Sequence, residues 1–450
     1  MIINPTTEEK IDSPANHTAQ EIDELLTRTS SAFATWRAVP VVERGALIES
    51  LGRLLRERRN ELAVLMTREM GKLITAGEAE IEKCAAACEV FAAQAPGWLA
   101  PHPIASDAVE SYVRHDPLGP VLAIMPWNFP FWQAFRAAVP AIIAGNTIVL
   151  KHAPNVPGCG EAIERLFEDG GFPPGVLVNL QVDNARAEEL IADPRIVAVT
   201  LTGSERAGKA VATAAAKVLK KSVLELGGSD AFIVLPDADM DRVAEAAVAA
   251  RCINSGQSCI AAKRFIVVGD AAELARKMAA IMRKLPVGNP ADRATQVGPL
   301  ARLDLLEHLH DQVGRSVAAG AKLLTGGRRL PRAGYFYEPT VLAEVHPGMA
   351  AFDEETFGPV AAVTEAADID DAIRLANLSR YGLGASLWTE DPFAAEALVD
   401  RIEAGNVFIN GAVKSDPSLP FGGIKNSGWG RELSALGLYE FTNIKTVWIK

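Results

Sequence analysis

The chain has 450 residues, 49% of them hydrophobic and 22% charged, with a formal net charge of −11. That composition excludes a disordered polymer, and an acidic balance without a Lys/Arg block argues against nucleic acid as a partner. At roughly 100–200 residues per domain, the length allows two to four lobes.

The first ten residues, MIINPTTEEK, lack the basic region and apolar core of a targeting segment. Residues 19–38, 42–59, 61–70 and 76–93 carry apolar side chains at three-and-four spacing and read as helices. Pro96, Pro101 and Pro103 are expected to break that run. Residues 109–116 alternate and predict an exposed strand. The most apolar stretch, 118–150, holds Pro120, Pro126, Pro130 and Pro140 with Gln133 and Arg136, a load that no membrane helix carries. A soluble, cytoplasmic protein is expected, with no membrane partner.

From residue 121 short β-rich runs alternate with helical segments. Runs 121–125, 147–151, 176–180 and 196–201 read as buried strands, and 158–169 as a helix. Runs 232–235, 264–268 and 361–364 begin a second series. This alternation predicts an α/β fold with two doubly wound, Rossmann-like lobes. The passage between them falls near 225–228. The last run, 441–449, predicts a terminal edge strand that pairs elsewhere, plausibly with another subunit. The five cysteines are scattered without a CxxC and His pairing, so no metal site is expected.

Four local patterns carry chemistry. Cys259 ends NSGQSC, where Gly256 permits an unusual dihedral, and a thiol after such a turn is a candidate nucleophile. Glu225 lies in LELGG between leucines, where burial raises a carboxyl toward the range of a general base. Asn128 in PWNFP follows an apolar strand and could donate to an oxyanion. The strand at 196–201 runs into TGSERAG, with Gly203 and Ser204 opening a helix whose N-terminus suits an anion. Each pattern alone also fits a structural cysteine, an exposed glutamate, a turn asparagine or a helix cap.

Together they are more specific. PWNFP (126–130), LTGSERAG (201–208), LELGGSD (224–230), GQSC (256–259), EETFGPV (354–360) and PFGGIKNSGWGRE (420–432) occur in an order that resembles the aldehyde dehydrogenase superfamily over nearly the whole chain. The resemblance implies a cofactor-binding domain (1–108 and 117–226), a catalytic domain (227–415), and an oligomerisation and bridging element with a C-terminal tail (109–116 and 416–450). It implies a homodimer or homotetramer. It also implies Cys259 as nucleophile, Asn128 in the oxyanion hole and Glu225 as base for the deacylating water. Lys151, Gly203, Ser204, Glu355, Phe357 and Trp127 would contact the nicotinamide cofactor.

Within the superfamily the chain most resembles the shorter bacterial succinate-semialdehyde dehydrogenases, through MPWNFPFWQAFR, KHAPNVPGC, LELGGSDAFIV, CIAAKRFIV and NGAVKSDPSLPFGG. That likeness places Arg136, Ser258 and Ser415 around a substrate carboxylate, a role that suits a planar guanidinium. A structural Arg136 paired with an internal carboxylate is the competing reading. His152 and Ser229 depart from the Pro and Lys usual at those positions. Pro154 stands where NAD-preferring relatives have Glu and NADP-preferring ones often have Ser, so NAD and NADP are both expected, with a lean to NAD. Another aldehyde, acyl transfer to CoA and a non-catalytic relative are the alternatives. Retention of Glu225 argues against the second, and retention of all three catalytic residues against the third.

Overall fold

The computed structural model describes residues 2–450. Four helices come first: α1 (Ala19–Trp36), α2 (Val41–Glu57), α3 (Arg59–Met70) and α4 (Ile74–Trp98). A capping box opens α1, with Thr18 accepting from the Glu21 N–H and Glu21 accepting from the Thr18 N–H. Gly71, at φ 76°, closes α3 in the left-handed region. Helix α4 does not stop before Pro96 as expected. The proline sits in its last turn, where its missing N–H forfeits one bond and the helix ends two residues on.

The first lobe follows as β1 (Glu110–Pro117), β2 (Pro120–Ile124), α5 (Pro130–Ala144), β3 (Thr147–Lys151), α6 (Pro157–Asp169), β4 (Leu177–Asn179), α7 (Asn184–Ala192), β5 (Ala198–Thr202), α8 (Glu205–Lys217) and β6 (Lys221–Glu225). The second contains β7 (Ala231–Val234), α9 (Met240–Cys252), β8 (Arg264–Val268), β9 (Lys322–Thr325), β10 (Thr340–Ala343), β11 (Val360–Ala366), β12 (Gly384–Trp388) and β13 (Asn406–Ile409). Near the C-terminus come the two-residue β14 (Gly428–Trp429) and the eight-residue β15 (Thr442–Ile449).

The sheets are doubly wound, as the alternation predicts. One has six strands in the order β14-β6-β5-β2-β3-β4, all parallel except β14. The other has seven, in the order β9-β10-β11-β8-β7-β12-β13, with only β9 antiparallel. Their central strands are buried on both faces, which is why 147–151 and 264–268 read as unbroken apolar runs. Helix α5 is buried along its whole length between sheet and helices, with Phe131, Phe135 and Ile142 packed in one core with Ile48, Leu51 and Phe91.

The terminal strand β15 finds its partner within the chain. It pairs antiparallel with β1 from Thr442 opposite Pro117 to Ile449 opposite Glu110, and among the described residues its other edge has no partner strand. Both chain ends cross between lobes. Pro5 accepts from the Tyr335 N–H of the second lobe, while Phe421, Leu438 and Phe441 join the core of the first. No helix among the described residues is long and apolar enough to cross a membrane.

Candidate active site

The six-stranded sheet runs from β2 to β3 and β4 on one side and to β5 and β6 on the other. This reversal opens a crevice at the carboxyl ends of β2 and β5, the usual site of a dinucleotide. Trp127 and Asn128 follow β2, Lys151 ends β3 with Pro154 exposed just beyond, and Gly203 and Ser204 follow β5. Ser204 caps α8, its Oγ accepting from the Ala207 N–H at 3.3 Å, so the helix N-terminus faces the crevice as an anion site. Lys151 Nζ donates to Asn184 Oδ1 at 2.7 Å, and burial lowers its pKa against the pull of Asp183.

Trp127 and Phe357 stand edge to face at 5.7 Å. Glu355 accepts from the Gly228 N–H at 3.0 Å and lies 3.8 Å from Lys263 Nζ. A helix N-terminus, a lysine, a glutamate and two aromatic rings are groups that could hold a nicotinamide dinucleotide. The departure at His152 has a structural role: its Nε2 hydrogen-bonds Pro130 O at 2.8 Å and its Nδ1 accepts from the Ala153 N–H. Burial holds its pKa down at about 4, so the neutral ring ties the end of β3 to the start of α5.

Cys259 follows a strained turn after α9. Asn254, Ser255 and Gly256 have φ of 51°, 56° and 78°. A non-glycine there costs roughly 1–3 kcal/mol, so the surroundings must hold it. They do: Asn254 Nδ2 donates to Asn128 O at 2.8 Å and Gln257 O at 3.0 Å, Arg251 donates to Gly256 O at 2.7 Å, and Lys263 donates to Cys259 O at 2.7 Å. A Cβ on Gly256 would lie 2.2 Å from the Gly358 carbonyl carbon, so only glycine fits. Asn128 Nδ2 reaches the same turn, donating to Gln257 O at 3.2 Å. Burial pushes the Cys259 thiol up to about 12, opposed by the charges of Arg136 and Lys263.

Cys259 opens onto a cavity of about 820 Å³, counting the space at its mouth. Ser258, Arg136, Ser415, Gln133 and Lys83 line it too. The three residues read from the sequence as carboxylate contacts therefore share one cavity with the thiol. Ser258 Oγ and Gln133 Oε1 are buried there without a partner, while Ser415 Oγ accepts from Trp132 Nε1 at 3.1 Å and Lys83 Nζ at 2.7 Å.

Arg136 also has an internal partner. It is 2% exposed, ion-paired with Glu432, and stacked at 4.8 Å over the Phe421 ring. Glu225 is likewise 2% exposed but does not line the cavity. Desolvation raises its pKa well above the carboxylate range, with Arg136 opposing and Glu432 adding to the shift. Its Oε1 has no partner. Lys83, Glu432 and Asn254 were not singled out from the sequence. Glu432 lies inside the quoted GRE run, so its signal was present without its partner. Lys83 sits on a helix and gave none.

The model of the aldehyde dehydrogenase family matches residues 1–447. A probable succinate-semialdehyde dehydrogenase [NADP(+)] of Synechocystis sp. is 48% identical, with 99% of each chain covered. A succinate semialdehyde dehydrogenase [NAD(P)+] of Escherichia coli K12 is 47% identical, covering 99% of this chain and 97% of its own. The crystal structure of succinic semialdehyde dehydrogenase from Streptococcus pyogenes, in complex with NADP+, superposes with a TM-score of 0.97 at 37% identity over 99% of both chains.

Proposed function

The chain belongs to the aldehyde dehydrogenase family, and on that premise we propose that it oxidises succinate semialdehyde to succinate. The observation that carries this reading is a single cavity lined by the Cys259 thiol together with Arg136, Ser258 and Ser415. A short aldehyde with a remote carboxylate matches a nucleophile at one place on the wall and cationic and hydroxyl donors at another.

Cys259 Sγ attacks the aldehyde carbon as thiolate, forming a C–S bond and an alkoxide. Asn128 Nδ2 turns from Gln257 O to that alkoxide, with the Cys259 N–H as the second donor. One such donor is typically worth about 10²–10³ in rate. When bound in the crevice, a nicotinamide dinucleotide supplies the acceptor for the carbon's hydride. The carbon is then a thioester on Sγ. Glu225 swings from its place beside Arg136 and Glu432, takes a proton from water, and the resulting hydroxide displaces Sγ. The balance is aldehyde, water and oxidised cofactor to carboxylate, reduced cofactor and two protons. Burial of Glu225 raises its proton affinity, which a base needs and a resting carboxylate lacks.

NADP is read as the preferred cofactor, with NAD accepted. The sequence leaned to NAD. Pro154 offers no carboxylate to repel a 2′-phosphate, the Synechocystis relative carries NADP(+) in its name, and the Streptococcus structure is a complex with NADP+. The five free cysteines suit the reducing cytoplasm, and the bare edge of β15 suits a homo-oligomer. The test is a steady-state comparison of succinate semialdehyde, glutarate semialdehyde and butanal with each cofactor. The highest kcat/KM is expected for succinate semialdehyde with NADP+. Equal or better use of butanal overturns the substrate.

A further inference from the structure

We propose that Lys263 is a positioning residue of the oxyanion hole: by gathering the backbone carbonyls around the nucleophile on its ammonium, it aims the Cys259 N–H at the developing alkoxide. This rests on the reading of Cys259 as nucleophile given above and adds a residue that does not line the cavity.

Lys263 is fully buried and lies between Cys259 and β8. Its backbone is tied to the seven-stranded sheet on two sides. Its N–H donates to Asp230 O, just before β7, at 3.1 Å, and its carbonyl accepts from the Ala362 N–H of β11 at 3.1 Å. The side chain turns back on the residues before it. Nζ donates to the carbonyls of Ser258 at 3.1 Å, Cys259 at 2.7 Å and Ala261 at 3.1 Å. Three carbonyls take all three N–H groups of an ammonium, whereas a neutral amine has two to give. Glu355 Oε1, 3.8 Å away, is the counter-ion. Burial lowers the pKa of Lys263, with Glu355 and Asp230 opposing and Arg251 adding to the fall.

The effect on the nucleophile follows from the geometry of the peptide unit. In a trans peptide the C=O and the next N–H point in opposite directions, and the described residues contain no cis bond. With Ser258 O drawn to Nζ, the Cys259 N–H of the same peptide faces away from the lysine. That N–H has no hydrogen-bond acceptor among the described residues. A free donor beside the thiol is what the second arm of an oxyanion hole needs. Ser258 O has one other donor, the Ala261 N–H at 3.2 Å. A charge-assisted bond is roughly twice as strong as a neutral one, so the ammonium sets the tilt of this peptide.

Lys263 also favours the Cys259 thiolate by its charge, after Arg136 in size. The two effects separate by reaction type. Attack of the thiolate on an ester carbonyl forms an alkoxide, whose collapse expels the alcohol and leaves a thioester. Displacement of iodide from iodoacetamide forms no alkoxide. Both reactions draw on the same thiolate, so its fraction cancels in the ratio of their rate constants, and the ratio reads the oxyanion hole.

The experiment measures second-order rate constants at pH 8, without cofactor, for acylation by p-nitrophenyl acetate and alkylation by iodoacetamide. Release of p-nitrophenolate before turnover reads the first, and the native, Lys263→Met, Lys263→Gln, Asn128→Ala and Cys259→Ala enzymes are compared. In Lys263→Met the ratio of acylation to alkylation is expected to fall about ten- to a hundredfold, less than the 10²–10³ typical of a donor lost outright, because the N–H is misaimed and not removed. Asn128→Ala is expected to lower the same ratio. Lys263→Gln is expected to lower it too, and decides the matter if Lys263→Met does not fold. Lys263 variants that slow both reactions alike, or that both fail to fold, would make Lys263 a residue of the fold and overturn the assignment while leaving the nucleophile standing. Acylation of Cys259→Ala at the native rate, or a native ratio in Asn128→Ala, would overturn the reading of the site itself and this assignment with it.

Discussion

Arg136 and Glu432 form a buried ion pair at the wall of the cavity that Cys259 opens onto, the arginine from the helix after the PWNFP turn and the glutamate from near the end of the chain. The pair has a third member. Glu225, also buried, is drawn toward its ionised form by Arg136 and away from it by Glu432. The acid–base properties of the site thus depend on residues that do not touch the reacting carbon.

Glu432→Gln keeps the shape and leaves Arg136 with an uncompensated charge. Removing one partner of a buried pair typically costs about 3–5 kcal/mol. A lower midpoint of denaturant unfolding is expected. Because Arg136 opposes protonation of the Cys259 thiol, its unmasked charge is also expected to speed alkylation of Cys259 by iodoacetamide at pH 8. An unchanged midpoint and alkylation rate together would show that Arg136 does not depend on Glu432.

Alkylation of the native enzyme without cofactor should itself follow pH steeply. With Cys259 pushed up to about 12, the thiolate is scarce throughout the neutral range. Well below such a pKa its fraction rises about tenfold per pH unit, so the rate should rise by that factor from pH 7 to 8 and again to 9. Cys252 is pushed up to about 12 as well, so the Cys259→Ala enzyme supplies the background. A plateau near pH 7 would mean that the resting thiol is already activated.

Glu225→Gln is expected to preserve a first-turnover burst of reduced cofactor and to abolish steady turnover, because only hydrolysis of the thioester needs the base. Native steady turnover should rise with pH, since burial raises the Glu225 pKa and the base form must be generated. Stopped-flow absorbance reads both. Loss of the burst would move Glu225 to an earlier step.

Much of this arrangement was legible as sequence. The runs at 147–151 and 264–268 are strands with those bounds, as their shortness and their β-branched content indicate. Cys259, Asn128 and Gly203 lie at strand or helix ends, where unusual local patterns mark them. Lys83 left no such mark. On α4 its neighbours Ile81, Cys84 and Cys88 are fully buried, so the helical period reads Lys83 as a flank of the apolar face. Ser415, which makes it part of the cavity, lies 332 residues further along the chain. The internal partner of Arg136 was hidden for the same reason. Helix α5 was visible only as apolar sequence, since burial on all sides erases the amphipathic period.

Pro154→Glu should shift the cofactor balance toward NAD. A carboxylate just beyond Lys151, at an exposed position after β3, would repel a 2′-phosphate and could accept from free ribose hydroxyls. The KM for NADP+ is expected to rise relative to that for NAD+. If the ratio does not change, position 154 does not face the ribose.

The central claim joins one substrate to one nucleophile, and one measurement addresses both. Glu225→Gln is incubated with succinate semialdehyde and NADP+, quenched in acid and digested, and the peptides are weighed by mass spectrometry. The account predicts one succinyl group on the peptide that carries Cys259 and none on those carrying Cys84, Cys88, Cys159 or Cys252 alone. Reduced cofactor formed with no succinyl group on Cys259 would contradict it.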